Sequence, residues 1–327
     1  MLTAGLIVYW IMSGMAGMRY ALPGIVAIWG GSAVLNTVDW SQPIDEPITI
    51  SIVQGNISQD IKWLPEQRNP TLKLYTELSR EHWSSDLVIW PETSIPMLYH
   101  QAEPFLKKIA QEARMNSSEL LVGIPVYNIK TEQHFNSMMT LGRDELFYDK
   151  KHLVPFGEYL PLKEYLGGVI DFFNIPMSNF SSGVRESSIL RVAGQPAGIS
   201  ICFEDVFGEE VVAALPEATL LINTSNDAWF GDSLAPHQHL EIAQMRAVET
   251  ARYLVRSTNT GISAFINEKG QIQSASPQFE THVLTDSIQP MTGMTPYAVF
   301  TNIPIVLFAG AILGFGVWLG RTKNSNL

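Results

Sequence analysis

The stretch Gly198-Ile199-Ser200-Ile201-Cys202-Phe203-Glu204-Asp205 ends an apolar run and carries the single cysteine of the 327-residue chain. A strand that finishes at Ile201 would place the thiol of Cys202 at a strand end. A helix N-terminus after it would offer free N–H groups that favour thiolate and oxyanion charge. The stretch therefore predicts a nucleophile elbow. On this stretch alone, a small buried apolar cysteine is the alternative interpretation.

On both sides of this stretch, short β-rich runs alternate with segments that have helical spacing of apolar residues. The β-rich runs predict strands at residues 48–53, 87–90, 120–126, 135–141, 146–148, 190–201, 219–223, 254–257 and 263–267. The helical spacing predicts helices at residues 69–81, 104–114, 206–215 and 238–250. This interleaving predicts one α/β domain, and the similar form of residues 86–92 and 218–226 indicates two layered halves.

Both ends of the chain are apolar. Residues 299–320 contain no charged side chain, and these 22 residues, at about 1.5 Å each, are enough to cross a hydrocarbon core of roughly 30 Å. Residues 2–38 contain one charged side chain, that of Arg19, and are too long for one crossing. They predict two short spans that meet near residues 18–20, with Pro23 at the turn.

The few basic residues near these spans predict their orientation, because basic residues favour the cytoplasmic side. Arg19 lies at the proposed turn, and Arg321 and Lys323 follow the last span. The segment between the spans is then expected on the outer face of a cytoplasmic membrane. The expected division is an N-terminal membrane segment at 1–40, a catalytic domain at 41–298, a membrane helix at 299–320 and a tail at 321–327.

Charge and cysteine content exclude some classes of function. Residues 41–298 hold 31 acidic and 18 basic side chains, so a nucleic acid, which needs a basic surface, is not an expected partner. One cysteine excludes an intramolecular disulfide.

Two further strand ends carry ionisable groups. Glu92 follows Trp90-Pro91, where proline stops the strand and aims the carboxylate outward as a candidate general base; a solvated loop glutamate is the alternative. Lys150 could hold positive charge beside a thiolate, although a solvated strand edge is also common. His152 is a rival, because a Cys–His pair is a familiar way to activate a thiol.

Three other segments each allow two interpretations. Residues 159–182, which include Phe172 and Phe173, are rich in apolar side chains and predict either core or a mobile apolar arm. His237 and His239 have H-x-H spacing, but the lack of further ligands favours a helix start over a metal site. The motif around Ser200 lacks the second glycine of the G-x-S-x-G serine elbow, so Ser200 is a weak nucleophile candidate.

Glu92, Lys150 and Cys202, each at a strand end in this order, resemble the nitrilase superfamily triad. Longer motifs narrow the resemblance to the apolipoprotein N-acyltransferase family. They are Trp-Pro-Glu-Thr at 90–93, Lys-Lys-His-Leu-Val-Pro-Phe-Gly-Glu at 150–158, Ile-Cys-Phe-Glu at 201–204, Asn-Thr-Ser-Asn-Asp-Ala-Trp-Phe-Gly at 223–231 and Arg-Ser-Thr-Asn-Thr-Gly at 256–261.

The resemblance implies a nitrilase-like αββα sandwich on the periplasmic side of the bacterial inner membrane, flanked by transmembrane helices at both ends. It implies transfer of a fatty acyl chain from a phospholipid, through a cysteine thioester, to the α-amino group of the diacylglyceryl-cysteine that begins a lipoprotein. The implied partners are the phospholipid donor, the diacylglyceryl-modified lipoprotein and the bilayer. Neither a cofactor nor a metal is implied.

Carried over by motif, Cys202 is the nucleophile, Glu92 the general base and Lys150 the electrostatic partner. The chemistry agrees, because the backbone N–H of Phe203 with the Lys150 ammonium would form an oxyanion hole. This assignment makes Lys151 and His152 secondary. The further supporting or substrate-binding residues are Trp63, Glu158, Phe203, Glu204, Trp229, Phe172 and Phe173.

The sequence departs from the family pattern in two places. Phe203 replaces the usual tyrosine after the cysteine, and the family has more membrane helices before its catalytic domain, so a fragment or a short form is expected. Two other functions use the same fold. One is a membrane-tethered amidase in which water takes the acyl group, and the other is a non-catalytic lipoprotein-binding homologue.

Overall fold

The computed structural model describes residues 2–35, 37–155, 157–159, 180–184 and 187–324. The chain divides into two compact units, residues 1–42 and 43–327. A three-residue strand, β1 (Ser41–Pro43), lies at the boundary between them. The larger unit contains the two main sheets.

The first sheet contains six strands: β2 (Ile48–Gln54), β3 (Leu87–Ile89), β4 (Glu119–Asn128), β5 (Gln133–Leu141), β6 (Phe147–Asp149) and β13 (His282–Ile288). Their order is β13-β2-β3-β4-β5-β6. Strands β2, β3 and β4 are parallel, whereas β13, β5 and β6 each pair antiparallel with their neighbour. The carboxyl ends of β3 and β6 therefore lie at the same edge of this sheet.

The second sheet repeats this plan with β7 (Ile189–Val192), β8 (Gln195–Ile201), β9 (Leu220–Ser225), β10 (Leu254–Thr258), β11 (Ala264–Ile266) and β12 (Ile272–Ala275). Their order is β12-β11-β10-β9-β8-β7, and β8, β9 and β10 are parallel. Each sheet thus has three parallel strands at its centre, which confirms the predicted two layered halves. One more short strand, β14 (Met291–Gly293), follows β13.

The helices are α1 (Leu2–Leu35), α2 (Gln59–Lys62), α3 (Pro65–Arg80), α4 (Tyr99–Met115), α5 (Gly208–Val212), α6 (Ala235–Thr250), α7 (Pro296–Phe300) and α8 (Ile303–Asn324). Two 3₁₀ turns, Cys202–Val206 and Asp227–Phe230, follow β8 and β9. Helices α3 and α4 pack on the outer face of the first sheet, and α6 packs on the outer face of the second. The result is the predicted αββα sandwich.

The central core lies between the two sheets and follows from side-chain alternation along each strand. On β3, Leu87 and Ile89 face the second sheet, whereas Val88 packs with the helices. On β9, Ile222 belongs to the central core and Leu221 to the cluster under α6. Both faces of these parallel strands are buried, so their sequences are nearly continuous apolar runs.

The N-terminal unit differs from the prediction in where its helices break. The helical path is interrupted at Gly14, which has φ 59° and ψ −149°. It is not interrupted near residues 18–20, and Pro23 lies inside the helix, so both details of the predicted turn are wrong. Glycine can adopt this conformation because it has no Cβ atom to clash with the backbone. The side chain of Leu6 lies against Gly24, so the two halves run beside each other.

One segment, Met18–Leu35, is long and apolar enough to cross a membrane by length and composition. Thr3–Gly14 and Ile303–Ile312 are shorter apolar helices within the described residues. The predicted helix start at residue 299 is wrong, because α7 and Thr301, with φ 49°, come before α8. Membrane helices at both ends stay a prediction.

Several predicted elements of the larger unit also have different bounds. The single strand predicted at 190–201 is a hairpin of β7 and β8, because Ala193 and Gly194 adopt positive φ of 46° and 80° at its turn. The helix predicted at 206–215 is shorter and follows a 3₁₀ turn. Strands β12 and β13 were not predicted, since their polar and exposed residues lack a continuous apolar run.

The stability of the sandwich should depend on the central core. Replacing Ile52, which is fully buried between the sheets, with alanine should lower the free energy of unfolding by about 2–5 kcal/mol. The matched control is Ile272→Ala on β12, where the side chain is 41% exposed and the loss should stay within about 0.5 kcal/mol. Chemical denaturation of both variants measures the difference. Equal losses would show that the inter-sheet layer is not the main core.

Candidate active site

Three predicted site residues meet where strands of the two sheets end. Glu92 lies just beyond β3, Lys150 directly follows β6, and Cys202 directly follows β8. The Lys150 Nζ lies 3.7 Å from Glu92 Oε1. The charges of both side chains act on the Cys202 thiol: Glu92 raises its pKa, and Lys150 lowers it. The structure therefore brings together the three residues that the sequence selected.

Lys150 is a buried cation surrounded by acids. Its side chain is 1% exposed, and Nζ is 2.9 Å from each carboxylate oxygen of Glu158. Burial by itself lowers the pKa of Lys150, but Glu92, Cys202 and Glu158 outweigh it and raise the pKa above the ordinary lysine value. The side chain thus stays charged at any physiological pH.

The Glu92 carboxylate is held by hydrogen bonds at both oxygens. Asn136 Nδ2 donates to Oε1 at 2.6 Å, and the backbone N–H of Asn226 donates to Oε2 at 2.8 Å. Asn136 also donates to Glu158 at 3.1 Å, so one amide bridges the two acids. Sequence reasoning missed Asn136, because it lies inside β5 rather than at a strand end.

The backbone around Glu92 is fixed by close packing. A Cβ at Gly123 would collide with the Pro91 carbonyl oxygen and the Thr93 backbone nitrogen, so β4 can approach this turn only at a glycine. Lys62 Nζ donates to Thr93 Oγ1 at 2.7 Å from the other side. Burial lowers the pKa of Lys62 to about 8, partly opposed by Glu92.

Cys202 has the backbone strain of a nucleophile elbow. Its φ is 53°, in the left-handed region that a non-glycine residue adopts at a cost of roughly 1–3 kcal/mol. Burial and the Glu92 charge raise the pKa of the Cys202 thiol to about 12, against the smaller opposing effects of Lys150 and Ser225. At neutral pH the side chain of Cys202 is consequently a neutral thiol.

A buried network of charges lies under the elbow. Arg256 Nη2 donates to Asp227 Oδ2 at 2.9 Å, and the two ring nitrogens of His239 face Asp205 Oδ1 at 2.9 Å and Asp227 Oδ1 at 3.4 Å. Burial alone would raise the pKa of Asp227, but Arg256 and His239 hold it below its ordinary value. Sequence reasoning missed this network, although the motifs at 223–231 and 256–261 contain Asp227 and Arg256.

Glu204 joins the segment of Lys150 to the segment of Cys202. Its carboxylate accepts from the backbone N–H groups of Lys151 at 2.6 Å, His152 at 3.1 Å and Ile201 at 2.7 Å. Burial raises the pKa of Glu204 despite these donors. The carboxylate therefore holds the ends of β6 and β8 together.

The other predicted residues lie around this centre. Trp63 ends α2 and is half-buried, and its Nε1 has no hydrogen-bond partner among the described residues. Phe203 is half-buried and meets Phe207 edge-on at 5.4 Å. Trp229 is 59% exposed in the turn after β9. Phe172 and Phe173, and most of the predicted apolar arm, lie outside the described residues.

The rival nucleophile and base have other partners. His152 stacks on Phe207 at 3.6 Å and lies 3.0 Å from Glu210. Ser200 Oγ accepts from Asn223 at 3.0 Å. Within the described part of the chain, no group of three His, Cys, Asp or Glu side chains is arranged to hold a metal ion.

The fold and this site together define a class of protein. The sequence profile of the carbon-nitrogen hydrolase family matches residues 49–297, which include both sheets and all three strand-end residues. The chain therefore belongs to the carbon-nitrogen hydrolase family.

Within that family, the chain is similar to curated apolipoprotein N-acyltransferases, which confirms the resemblance seen in its motifs. The protein from Methylococcus capsulatus is 43% identical over 99% of this chain and 64% of the relative. That from Nitrosomonas europaea is 43% identical over 92% of this chain and 61% of the relative. The chain thus spans about three fifths of the length of these curated relatives.

Solved structures share the fold at low sequence identity. Nit3 from Saccharomyces cerevisiae, a nitrilase superfamily member, has a TM-score of 0.57 and 16% identity, with 77% of this chain and 93% of that chain covered. An amidase from Nesterenkonia has a TM-score of 0.55 and 17% identity, with 76% and 93% covered. This likeness establishes the architecture.

The raised pKa of Cys202 predicts how its thiol reacts with iodoacetamide. Because the thiolate is the nucleophile and the folded pKa is about 12, the rate should rise about tenfold per pH unit from pH 7 to 10 without a plateau. Glu92→Gln removes a charge that raises the pKa of Cys202, so it should speed alkylation at pH 9. Lys150→Met should slow it. Rates measured by mass spectrometry check both signs, and a plateau below pH 9 would contradict the raised pKa.

Proposed function

We propose that this chain transfers a fatty acyl group from a membrane phospholipid, through a thioester on Cys202, to the α-amino group of the N-terminal diacylglyceryl-cysteine of lipoproteins. The observation that carries the proposal is the meeting of a neutral strained thiol, a hydrogen-bonded carboxylate and a buried ammonium in one site. The similarity to apolipoprotein N-acyltransferases supports the choice of substrates. A mutant of the Nesterenkonia amidase holds the acetamide moiety of fluoroacetamide covalently at its active-site cysteine, a precedent for a nucleophilic cysteine on this fold.

In the first half-reaction, Glu92 takes the thiol proton as Sγ attacks the ester carbonyl of the phospholipid. The Lys150 ammonium and the Phe203 N–H face the negative charge that develops on the carbonyl oxygen. The C–O bond then breaks, and Glu92 returns its proton to the departing lysophospholipid alkoxide. A raised thiol pKa suits this step, since the proton moves only when an acyl donor is present.

In the second half-reaction, the free amine of the lipoprotein attacks the thioester carbonyl. Glu92 now accepts the amine proton, the C–S bond breaks, and the proton passes to the sulfur to restore the thiol. The carboxylate can serve in both directions because Asn136 and Asn226 fix its two oxygens. Glu158 balances the Lys150 charge throughout.

Exposed apolar side chains near the site support a lipid substrate. Asn226 Nδ2 donates to Gln59 Oε1 at 2.9 Å, which joins the turn after β9 to α2. Trp229 on that turn is 59% exposed, and Ile61 on α2 is 39% exposed. Exposed apolar area is unfavourable in water at about 25 cal/mol per Å², whereas contact with acyl chains removes that penalty. We place this rim, with Trp63, on the path of the acyl chain.

The proposed location follows from the same similarity and from the apolar ends of the chain. It is the bacterial inner membrane, crossed more than once, with the sandwich on the periplasmic side. Phospholipid and lipoprotein would then reach the site from the same bilayer. The apolar arm with Phe172 and Phe173 is proposed to contact lipid there.

The mass of the protein purified from membranes tests the proposal directly. An acyl adduct that maps to Cys202, disappears in Cys202→Ala and is released by a diacylglyceryl-cysteine peptide as an N-acyl peptide is the expected result. Release by water alone, with no transfer to the peptide, would indicate an amidase-like hydrolase. No adduct after incubation with phospholipid vesicles would favour a non-catalytic homologue.

The neighbouring lysines offer a matched pair for the charge assignment. Lys150→Met should reduce acyl-enzyme formation by about 100-fold or more, because a buried oxyanion partner is lost. Lys151→Met should change it by less than about twofold. Acylation is measured with a fluorescent phospholipid, alongside thermal unfolding to detect a misfolded variant. Comparable losses in two folded variants would show that the wrong lysine was assigned.

A further inference from the structure

The carbonyl group of Cys202 takes no part in the proposed chemistry, yet two side chains bind it. Its oxygen lies 3.2 Å from Asn223 Nδ2 and 3.2 Å from His239 Nε2. Asn223 belongs to β9 and His239 to α6, so the two donors come from separate elements. A carbonyl held from two elements is fixed in direction. This also helps to keep Cys202 at its unfavourable φ of 53°.

The direction of that carbonyl determines the direction of a second group. The carbonyl of Cys202 and the N–H of Phe203 belong to one planar trans peptide and point opposite ways. Hydrogen bonds that hold the oxygen toward the buried network therefore turn the N–H away from it. In the proposed reaction, this N–H is a donor to the oxyanion.

We propose that His239 and Asn223 form a clamp on the Cys202 carbonyl that aims the Phe203 N–H at the developing oxyanion. The clamp rests on the proposed acyl transfer through Cys202. His239 acts here as a positioning residue, because it binds the peptide plane and not the substrate.

The surrounding charges keep the His239 arm of the clamp in its donor form. Nδ1 faces Asp227 Oδ1 and Nε2 faces Asp205 Oδ1, and carboxylate oxygens at both nitrogens require a proton on each. Burial and Arg256 disfavour the charged ring, but Asp205 and Asp227 outweigh them and raise the pKa of His239 above its ordinary value of 6.5. The Nε2 proton is then shared between Asp205 and the Cys202 oxygen.

Arg256 fixes the orientation of the Asn223 side chain in the clamp. Its Nη1 donates to Asn223 Oδ1 at 2.6 Å, so the amide must turn its nitrogen toward the Cys202 carbonyl. The same guanidinium binds Asp227 and so connects the two arms. The four charges of Asp205, Asp227, His239 and Arg256 balance in pairs, which lets the clamp be buried.

Two substitutions at His239 separate the clamp from a general structural role. The amide of His239→Gln replaces a donor at the position of Nε2, whereas that of His239→Asn replaces one at the position of Nδ1. Both variants retain a polar side chain, but only the glutamine reaches the Cys202 carbonyl. His237→Asn, on the exposed side of the same helix, is the control.

Two reactions of Cys202 are compared for each full-length variant in detergent micelles. Acylation by a p-nitrophenyl ester forms the S–C bond and releases p-nitrophenolate, with the thiol proton moving to Glu92, and it passes through an oxyanion. Alkylation by iodoacetamide forms an S–C bond, releases iodide and gives the thiol proton to solvent, without passing through an oxyanion. A clamp should therefore affect the first reaction much more than the second.

The expected result is that His239→Asn slows acylation at least about tenfold and alkylation less than about threefold. Removing an oxyanion donor slows a reaction about 100- to 1,000-fold, and a donor that is only misdirected should cost less. His239→Gln should recover most of the acylation rate, and His237→Asn should match wild type. Equal slowing of both reactions, or an acylation rate in His239→Asn equal to wild type, would overturn the clamp. Wild type that alkylates but is acylated by neither the ester nor phospholipid would overturn the proposed function itself.

If His239→Asn does not fold, the acylation and alkylation rates of His239→Gln alone test the clamp. A folded glutamine variant with a tenfold acylation defect would overturn a role that depends on the Nε2 donor, and near-normal acylation with unchanged alkylation would support it. Thermal unfolding of each variant identifies which case applies.

Discussion

The ammonium group of Lys150 is almost completely removed from water, and the rest of the site is arranged around that charge. A buried cation without partners costs several kcal/mol, so carboxylates must accompany it. Glu158 and Glu92 supply them from different segments, and Asn136 joins the two by donating to both. The charge pairing that buries this lysine therefore also fixes Glu92, the proposed base, beside it.

Burial and charge also keep the Cys202 thiol protonated at rest. Removal from water, and after it the negative charge of Glu92, disfavours a thiolate and raises the pKa of Cys202. In the proposed reaction, Cys202 would ionise only when an acyl donor arrives, and a resting thiol is protected from oxidants and other electrophiles, which react with the thiolate. The strained backbone of Cys202, with φ at 53°, is held by the hydrogen bonds of Asn223 and His239 to its carbonyl oxygen.

Sequence reasoning predicted the parts of this site that lie at strand ends. Glu92, Lys150 and Cys202 each follow an apolar run, and the direction of such a run can be inferred from local pattern. Asn136 lies within a strand, and Asp205 and His239 meet only because the 3₁₀ turn after β8 packs against α6. Those pairings depend on tertiary contacts, which local periodicity does not contain. The hairpin turn at Ala193 was also missed, because alanine rarely adopts a positive φ and so does not indicate a turn.

Strand β13 has a consequence for how the domain reaches this state. It pairs with β2 along its whole length, and Ser51 bonds Thr285 across a separation of 234 residues. The edge of the first sheet is therefore completed only after nearly the whole sandwich has been synthesised, and closing so long a loop slows folding. During translation, β2 has an unpaired edge while the other strands emerge, and such edges invite pairing with other chains. Until residue 288 has been synthesised, the edge of β2 therefore lacks the strand that covers it in the folded domain.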